Sequence, residues 1–254
     1  MVRASVCLLL VFCAYAAEAM PLTSADLVNI SGRQRMLSQR MVKAYAQIGA
    51  QVLPDESHRI LGESIEQFGA QLELLRPVIQ KPDQKALMAD IERVWPQVRR
   101  IASAPVLRQS APGLQRHANE LEALCHRLAG LVERDSGLAI GRLVNLSGRQ
   151  RMLTQRLAKA YMLSAWKIES PQLATELESS RQEFSAALLM LAEAPENTPE
   201  IRNELASIES QWNWFQAALE LEGADSYRLL VADSSESILS SLERLVSLYT
   251  RLDR

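Results

Sequence analysis

Apolar residues recur three and four positions apart along most of the chain. Ile60, Ile65, Phe68, Leu72, Leu75 and Ile79 form one series, Leu87, Ile91, Val94, Trp95 and Val98 a second, and Leu114, Leu121, Leu124, Leu128 and Leu131 a third. This is the spacing of helices with one buried face. No stretch alternates apolar and polar residues at a period of two, so no strand is expected. Breaks fall at Pro54-Asp55, Lys81-Pro82-Asp83 and Ala104 to Gly113, then near Ser170-Pro171, Ala194 to Pro199 and Glu222 to Asp225. Thr23 with Asp26 makes a capping-box start for a first helix that should end near Gln51. Pro96 is expected to bend the third helix. The predicted fold class is all-α.

The pattern is written twice. Asn29 to Tyr45 reads NISGRQRMLSQRMVKAY, and Asn145 to Tyr161 reads NLSGRQRMLTQRLAKAY. Beyond this block identity fades but register survives. Phe68, Leu72 and Leu75 match Phe184, Leu188 and Leu191, and Trp95 matches Trp212 one residue later. Leu121, Arg127, Leu128 and Leu131 match Ile238, Arg244, Leu245 and Leu248. A whole four-helix unit is therefore duplicated, predicting two tandem antiparallel four-helix bundles over residues 20–136 and 137–254. The junction Asp135-Ser136-Gly137 is short and lacks proline. It favours a fourth helix running straight into the fifth as one long shared helix. A break at Gly137 would instead let the bundles lie side by side.

Composition adds location and removes some functions. Arg3, the apolar run Ala4 to Ala16 and Ala17-Glu18-Ala19 read as a secretory signal peptide over residues 1–19, cleaved after Ala19. The mature chain is then expected in the periplasm. Cys7 and Cys13 would leave with the signal, so Cys125 stands alone and no disulfide framework is expected. Set among Leu121, Leu124 and Leu128, it reads as a buried apolar residue. The net charge of −2 gives no general basic surface for nucleic acid. His58, His117 and His126 show no metal-ligand spacing with carboxylates, and no nucleophile elbow, phosphate loop or Cys-x-x-Cys occurs. No metal, cofactor or enzymatic activity is expected. Trp214, beside Trp212 and Phe215, is a candidate for an exposed partner surface.

The repeated phrase carries the candidate chemistry. Packing requires an apolar stripe, which Met36, Leu37, Met41 and Ala44 supply. It does not require that Arg33, Gln34, Arg35, Gln39, Arg40 and Lys43 recur in both copies. No acid lies between Asp26 and Asp55 or between Asp135 and Glu169, whereas exposed helices usually mix signs. Gly32 and Gly148 each cost a helix interior roughly 1 kcal/mol against alanine. Asn29 with Ser31, and Asn145 with Ser147, can satisfy a loosened turn whose freed N–H groups, beside arginine, would bind an anion. Guanidinium suits a flat oxyanion such as nitrate, nitrite or a carboxylate. Residue chemistry alone leaves a second possibility equally open. Acids on neighbouring helices, with Glu63, Glu66, Glu73, Glu176, Glu178 and Glu183 as candidates, would pair with these cations.

SGRQRMLSQRMVKAY and SGRQRMLTQRLAKAY resemble the N-terminal sensor domain of the type IV pilus methyl-accepting chemotaxis transducer (PilJ type). That domain is related to the periplasmic domain of nitrate/nitrite sensor kinases such as NarX and NarQ. The resemblance is sharp in the phrase and looser across the rest of both units. It implies an anion held at a dimer interface by one arginine from each of two parallel first helices. Those arginines fall on Arg35 and Arg151, with Gly32 and Gly148 three residues before them. Arg33 and Arg149 have no charged counterpart in the kinases, and Arg40 and Arg156 would support the site with Asn29, Ser31, Asn145 and Ser147. Unlike these sensors, the chain is expected to carry two sensor units after its signal without a membrane span or output domain. The resemblance thus implies a periplasmic binding module for a small oxyanion, within one chain or a homodimer, signalling through a membrane receptor or transducer. The alternative is a structural or adaptor protein whose basic boxes pair helices without ligand.

Overall fold

The computed structural model describes residues 22–137, 139–221 and 225–252. The predicted signal peptide, with Cys7 and Cys13, lies outside the described residues. Eight α-helices account for nearly all of them, and there is no strand among the described residues: α1 (Ser24–Gly49), α2 (Pro54–Leu75), α3 (Pro82–Ala102), α4 (Ala111–Ser136), α5 (Ala139–Ala165), α6 (Gln172–Ala192), α7 (Pro199–Leu219) and α8 (Asp225–Arg251).

The helix starts follow local chemistry. Thr23 and Asp26 form the expected capping box, and Thr198 caps α7 through the Ile201 N–H. Proline opens α2, α3 and α7, where its missing N–H costs nothing. α3 contains Pro96 and continues through it to Ala102. The Ala104–Gly113 segment is more ordered than a loop: a short 3₁₀ turn at Arg108–Ser110 leads into α4, which already includes Pro112 and Gly113.

In each half, the first helix packs between the second and the fourth, and the third packs on the fourth. The second and third helices stand further apart and are bridged by an aromatic stack. Phe68 meets Trp95 at 4.3 Å between ring centroids, and Phe184 meets Trp212 at 4.0 Å. Such pairs add about 0.5–1.5 kcal/mol beyond the area they bury. Cys125 is fully buried, its thiol pushed up by loss of solvation.

The long shared helix is not formed. Gly137 adopts φ +64°, the left-handed conformation that ends helices, and α4 stops at Ser136. Only glycine takes that conformation without steric cost. The reversal lays the two halves side by side, with α1 along α5 at the centre of the molecule. The two central helices run parallel. Tyr45 near the end of α1 meets Trp166 just past the end of α5 (centroids 6.1 Å apart), and Trp166 lies flat over Gly49 with no room for a Cβ. Both helices are antiparallel to α8, which pairs Glu243 with Arg33 and Arg151, and Glu236 with Arg40. The two basic phrases therefore face each other at the same level, related by an approximate twofold axis.

Candidate functional site

The two phrases meet across the α1–α5 contact. In a helix, long side chains point towards the N-terminus, so each arginine folds back over the glycine three residues before it. A Cβ on Gly32 would lie 3.0 Å from Arg35 Nη2, and one on Gly148 would lie 3.2 Å from Arg151 Nη2. The repeated glycines thus make room for guanidinium groups. α1 and α5 run unbroken through them, and the expected loosened turn with freed N–H groups is absent. Ser31 and Ser147 donate to the carbonyls of Leu27 and Leu143 within their own helices. Asn29 and Asn145 instead reach across. Arg151 Nη2 donates to Asn29 Oδ1 at 2.8 Å, and Arg35 Nη2 to Asn145 Oδ1 at 2.6 Å. Arg35 and Arg151 are both fully buried, and both approach within 4 Å of the place a Gly148 Cβ would occupy. Two like charges are thus held together out of water.

Their counter-charges differ. Arg151 Nη1 donates to Glu243 Oε2 at 2.9 Å, and Glu243 also takes Arg33 in a second ion pair. Arg35 makes no ion pair among the described residues. Its Nη1 faces His126 Nδ1 at 3.2 Å, and its Nε donates to the Gly32 carbonyl at 3.3 Å. Arg149, the twofold mate of Arg33, also lies against His126, 3.1 Å from Nε2, and pairs with Glu183. His126 occupies in α4 the position that Glu243 occupies in α8. A neutral imidazole offers one lone pair to two guanidinium groups. Burial pulls Arg35 down to about 10; Glu122 opposes this, while Arg149 and Arg151 add to it.

The other predicted residues serve the fold. Arg40 and the fully buried Lys43 share Glu236, Arg156 pairs with Glu122, and the fully buried Lys159 pairs with Glu176. Gln34 and Gln150 donate to the Phe68 and Phe184 carbonyls, which explains their recurrence without a ligand. Of the acids expected to neutralise the phrases, only Glu176 and Glu183 do so. Glu63 and Glu73 pair locally with Arg59 and Arg76. The main partners sit on α8, whose proximity to α1 depends on the docking of the halves. His126 was not among the predicted site residues, although its alignment with Glu243 follows from the register of Arg127 with Arg244. Trp214 is 75% exposed, and no group of three potential metal ligands occurs among the described residues.

His126 gives the fold an acid-sensitive window. Burial, with Arg35 and Arg149 facing it and Glu183 opposing them, lowers it from 6.5 to about 4. The unfolded chain then takes up a proton that the folded chain refuses until lower pH. This contribution is neutral above pH 6.5 and destabilises as pH falls from there through 4. Glu236 acts lower. Burial alone would raise it, but Lys43 and Arg40 hold it at about 2, so its contribution persists above pH 4.5 and is lost as pH falls towards 2. In His126→Asn, urea midpoints should flatten between about pH 6.5 and 5 and still fall below 4.5. An unchanged upper slope would place its source elsewhere.

A family model described as type IV pili methyl-accepting chemotaxis transducer N-term matches residues 20–121 and again 136–248. No curated protein and no solved structure matches the chain.

Proposed function

Because the chain belongs to the family of type IV pili methyl-accepting chemotaxis transducer N-terminal domains, matched in both halves, we propose that it is a periplasmic sensory module that captures a small oxyanion between its two basic helices. The observation that carries this reading is Arg35: fully buried, close to Arg151 and Arg149, and without a carboxylate of its own. Isolated buried charge is costly, and a flat oxyanion accepting forked N–H donors would remove that cost. The arrangement also parallels the nitrate-sensor kinases, in which two parallel first helices each contribute an arginine. Here one chain brings both helices together, so a homodimer is not needed to complete the pair. Asn29, Gly32, Asn145 and Gly148 shape the site, while Arg33, Arg35, Arg149 and Arg151 supply its charge. Ser31 and Ser147 support the helices, and Arg40 and Arg156 anchor the flanking ion pairs. Binding would relieve repulsion across α1 and α5 and shift their packing, the kind of change a membrane receptor or transducer in contact with the module can read.

Thermal melts of the mature chain at constant ionic strength, with nitrate, nitrite or acetate, test this. An anion at a hundred times its Kd should stabilise by about 2.7 kcal/mol. For a chain of this size that is a rise in Tm of roughly 5–10 °C. Arg35→Ala should abolish the rise.

One observation favours a second reading, an adaptor without ligand. Arg33, Arg40, Lys43 and Arg151 are already neutralised from α8. If none of the anions moves Tm, the basic phrases are docking surfaces that hold the two halves together.

A further inference from the structure

We infer that Glu243 is a built-in occupant of one half of the twofold site, so that the chain takes a single oxyanion, on the half where His126 stands. The inference rests on the oxyanion reading above and adds which half binds and how many anions are taken up. The duplicated unit would on its own predict two equivalent places. At one, a carboxylate from α8 lies between Arg151 of α5 and Arg33 of α1. At the twofold-related place, the residue between Arg35 of α1 and Arg149 of α5 is His126 of α4. A carboxylate and a small planar oxyanion present the same chemistry to a guanidinium fork, two oxygens in a plane. Glu243 therefore shows the contacts that a bound anion would make on the other side: one fully buried arginine and one arginine about a third exposed. Arg149 is about a third exposed, as Arg33 is, and His126 is half-buried, so this half can be reached from solvent where an anion would take the place of the imidazole.

His126 also faces Arg156 of α5 and Glu183 of α6. Of these, Glu183 pairs with Arg149 and not with Arg35. Replacing one imidazole by one carboxylate should complete the second ion-pair triad and fill the ligand place with the protein's own side chain.

Isothermal titration of the mature wild-type chain with nitrate, nitrite and acetate reads the stoichiometry, which should be one per chain. In His126→Glu the anion that binds the wild type should bind at least a hundredfold more weakly. The anion-free variant should melt several degrees above anion-free wild type, an effect that removal of a merely structural histidine would not produce. Two anions per chain, or an affinity undiminished in His126→Glu, overturns this inference and leaves the oxyanion reading standing. No binding of any of the three anions to the wild type overturns the oxyanion reading itself.

Discussion

Exchanging Glu243 for glutamine should lower the free energy of unfolding by about 3–5 kcal/mol, the usual cost of leaving a buried charge without its partner. The variant keeps shape and volume, so packing contributes little to the loss. What changes is the charge between Arg33 and Arg151. Arg151 is fully buried, its side-chain Nε has no hydrogen-bond partner, and Arg35 lies close beside it. Burial would raise the Glu243 carboxyl, yet Arg151 and Arg33 hold it below its ordinary value, so the acid is ionised where it matters. The comparison that decides the argument is Glu56→Gln. Glu56 pairs with Arg59 on the surface of α2, where water and salt screen the pair and leave it little effect on stability. Denaturant midpoints of the two variants should therefore differ several-fold in their displacement from wild type. A loss below about 1 kcal/mol for Glu243→Gln would show that water reaches Arg151 and screens it, and would remove the basis for treating the α1–α5 contact as a low-dielectric site.

Signals carried by neighbouring residues were legible in the sequence, and those created by docking were not. Pro54, Pro82, Pro199 and the Thr23–Asp26 cap mark helix boundaries through steric and hydrogen-bonding effects that act within a few residues. The apolar series of α2, α3 and α4 marks buried faces for the same reason, and the register that matches Phe68 with Phe184 and Trp95 with Trp212 is realised as two equivalent aromatic stacks. The relation between the two halves is set at the junction of α4 and α5, where absence of proline is no guarantee of helix and Gly137 ends α4. With the halves docked side by side, α8 lies by α1, and Glu236 and Glu243 become the partners of cations about 200 residues earlier in the chain, a pairing sequence spacing does not encode. Gly32 and Gly148 stood out as a repeated cost. Their reason, a guanidinium lying back along its own helix, required side-chain direction as well as position. His126 is the instructive case. Its mismatch with Glu243 was present in the aligned units, but a histidine in place of a glutamate means nothing until both are seen to face arginines.

The same mismatch predicts opposite behaviour for the two halves when separated. Residues 137–254 alone should form a tight symmetric dimer through α5, whereas residues 20–136 alone should pair weakly through α1. The apolar part of either contact is similar, because the phrases are nearly identical. The charges are not. In a dimer of the second half, each Glu243 would stand between Arg151 of its own copy and Arg149 of the other, the arrangement it now has with Arg151 and Arg33. Each Glu236 would face Arg156 and Lys159 of the other copy, as it now faces Arg40 and Lys43. In a dimer of the first half, those places hold His126 and Asn119, and Arg33, Arg35, Arg40 and Lys43 would confront their own copies with Glu122 and Glu133 as the acids nearby. Coupling across close charge pairs in interfaces starts at about 1.5 kcal/mol. Two such pairs already separate the dimers by roughly a hundredfold in Kd, and repulsion in the first half widens the gap. Sedimentation equilibrium of the two fragments measures both constants directly. Millimolar nitrate should tighten the weak dimer and leave the strong one unchanged, since only the first lacks carboxylates where the arginines converge. Equal constants for the two fragments would mean that apolar packing alone governs the α1–α5 contact and that the exchange of Glu243 for His126 between the halves has no electrostatic consequence.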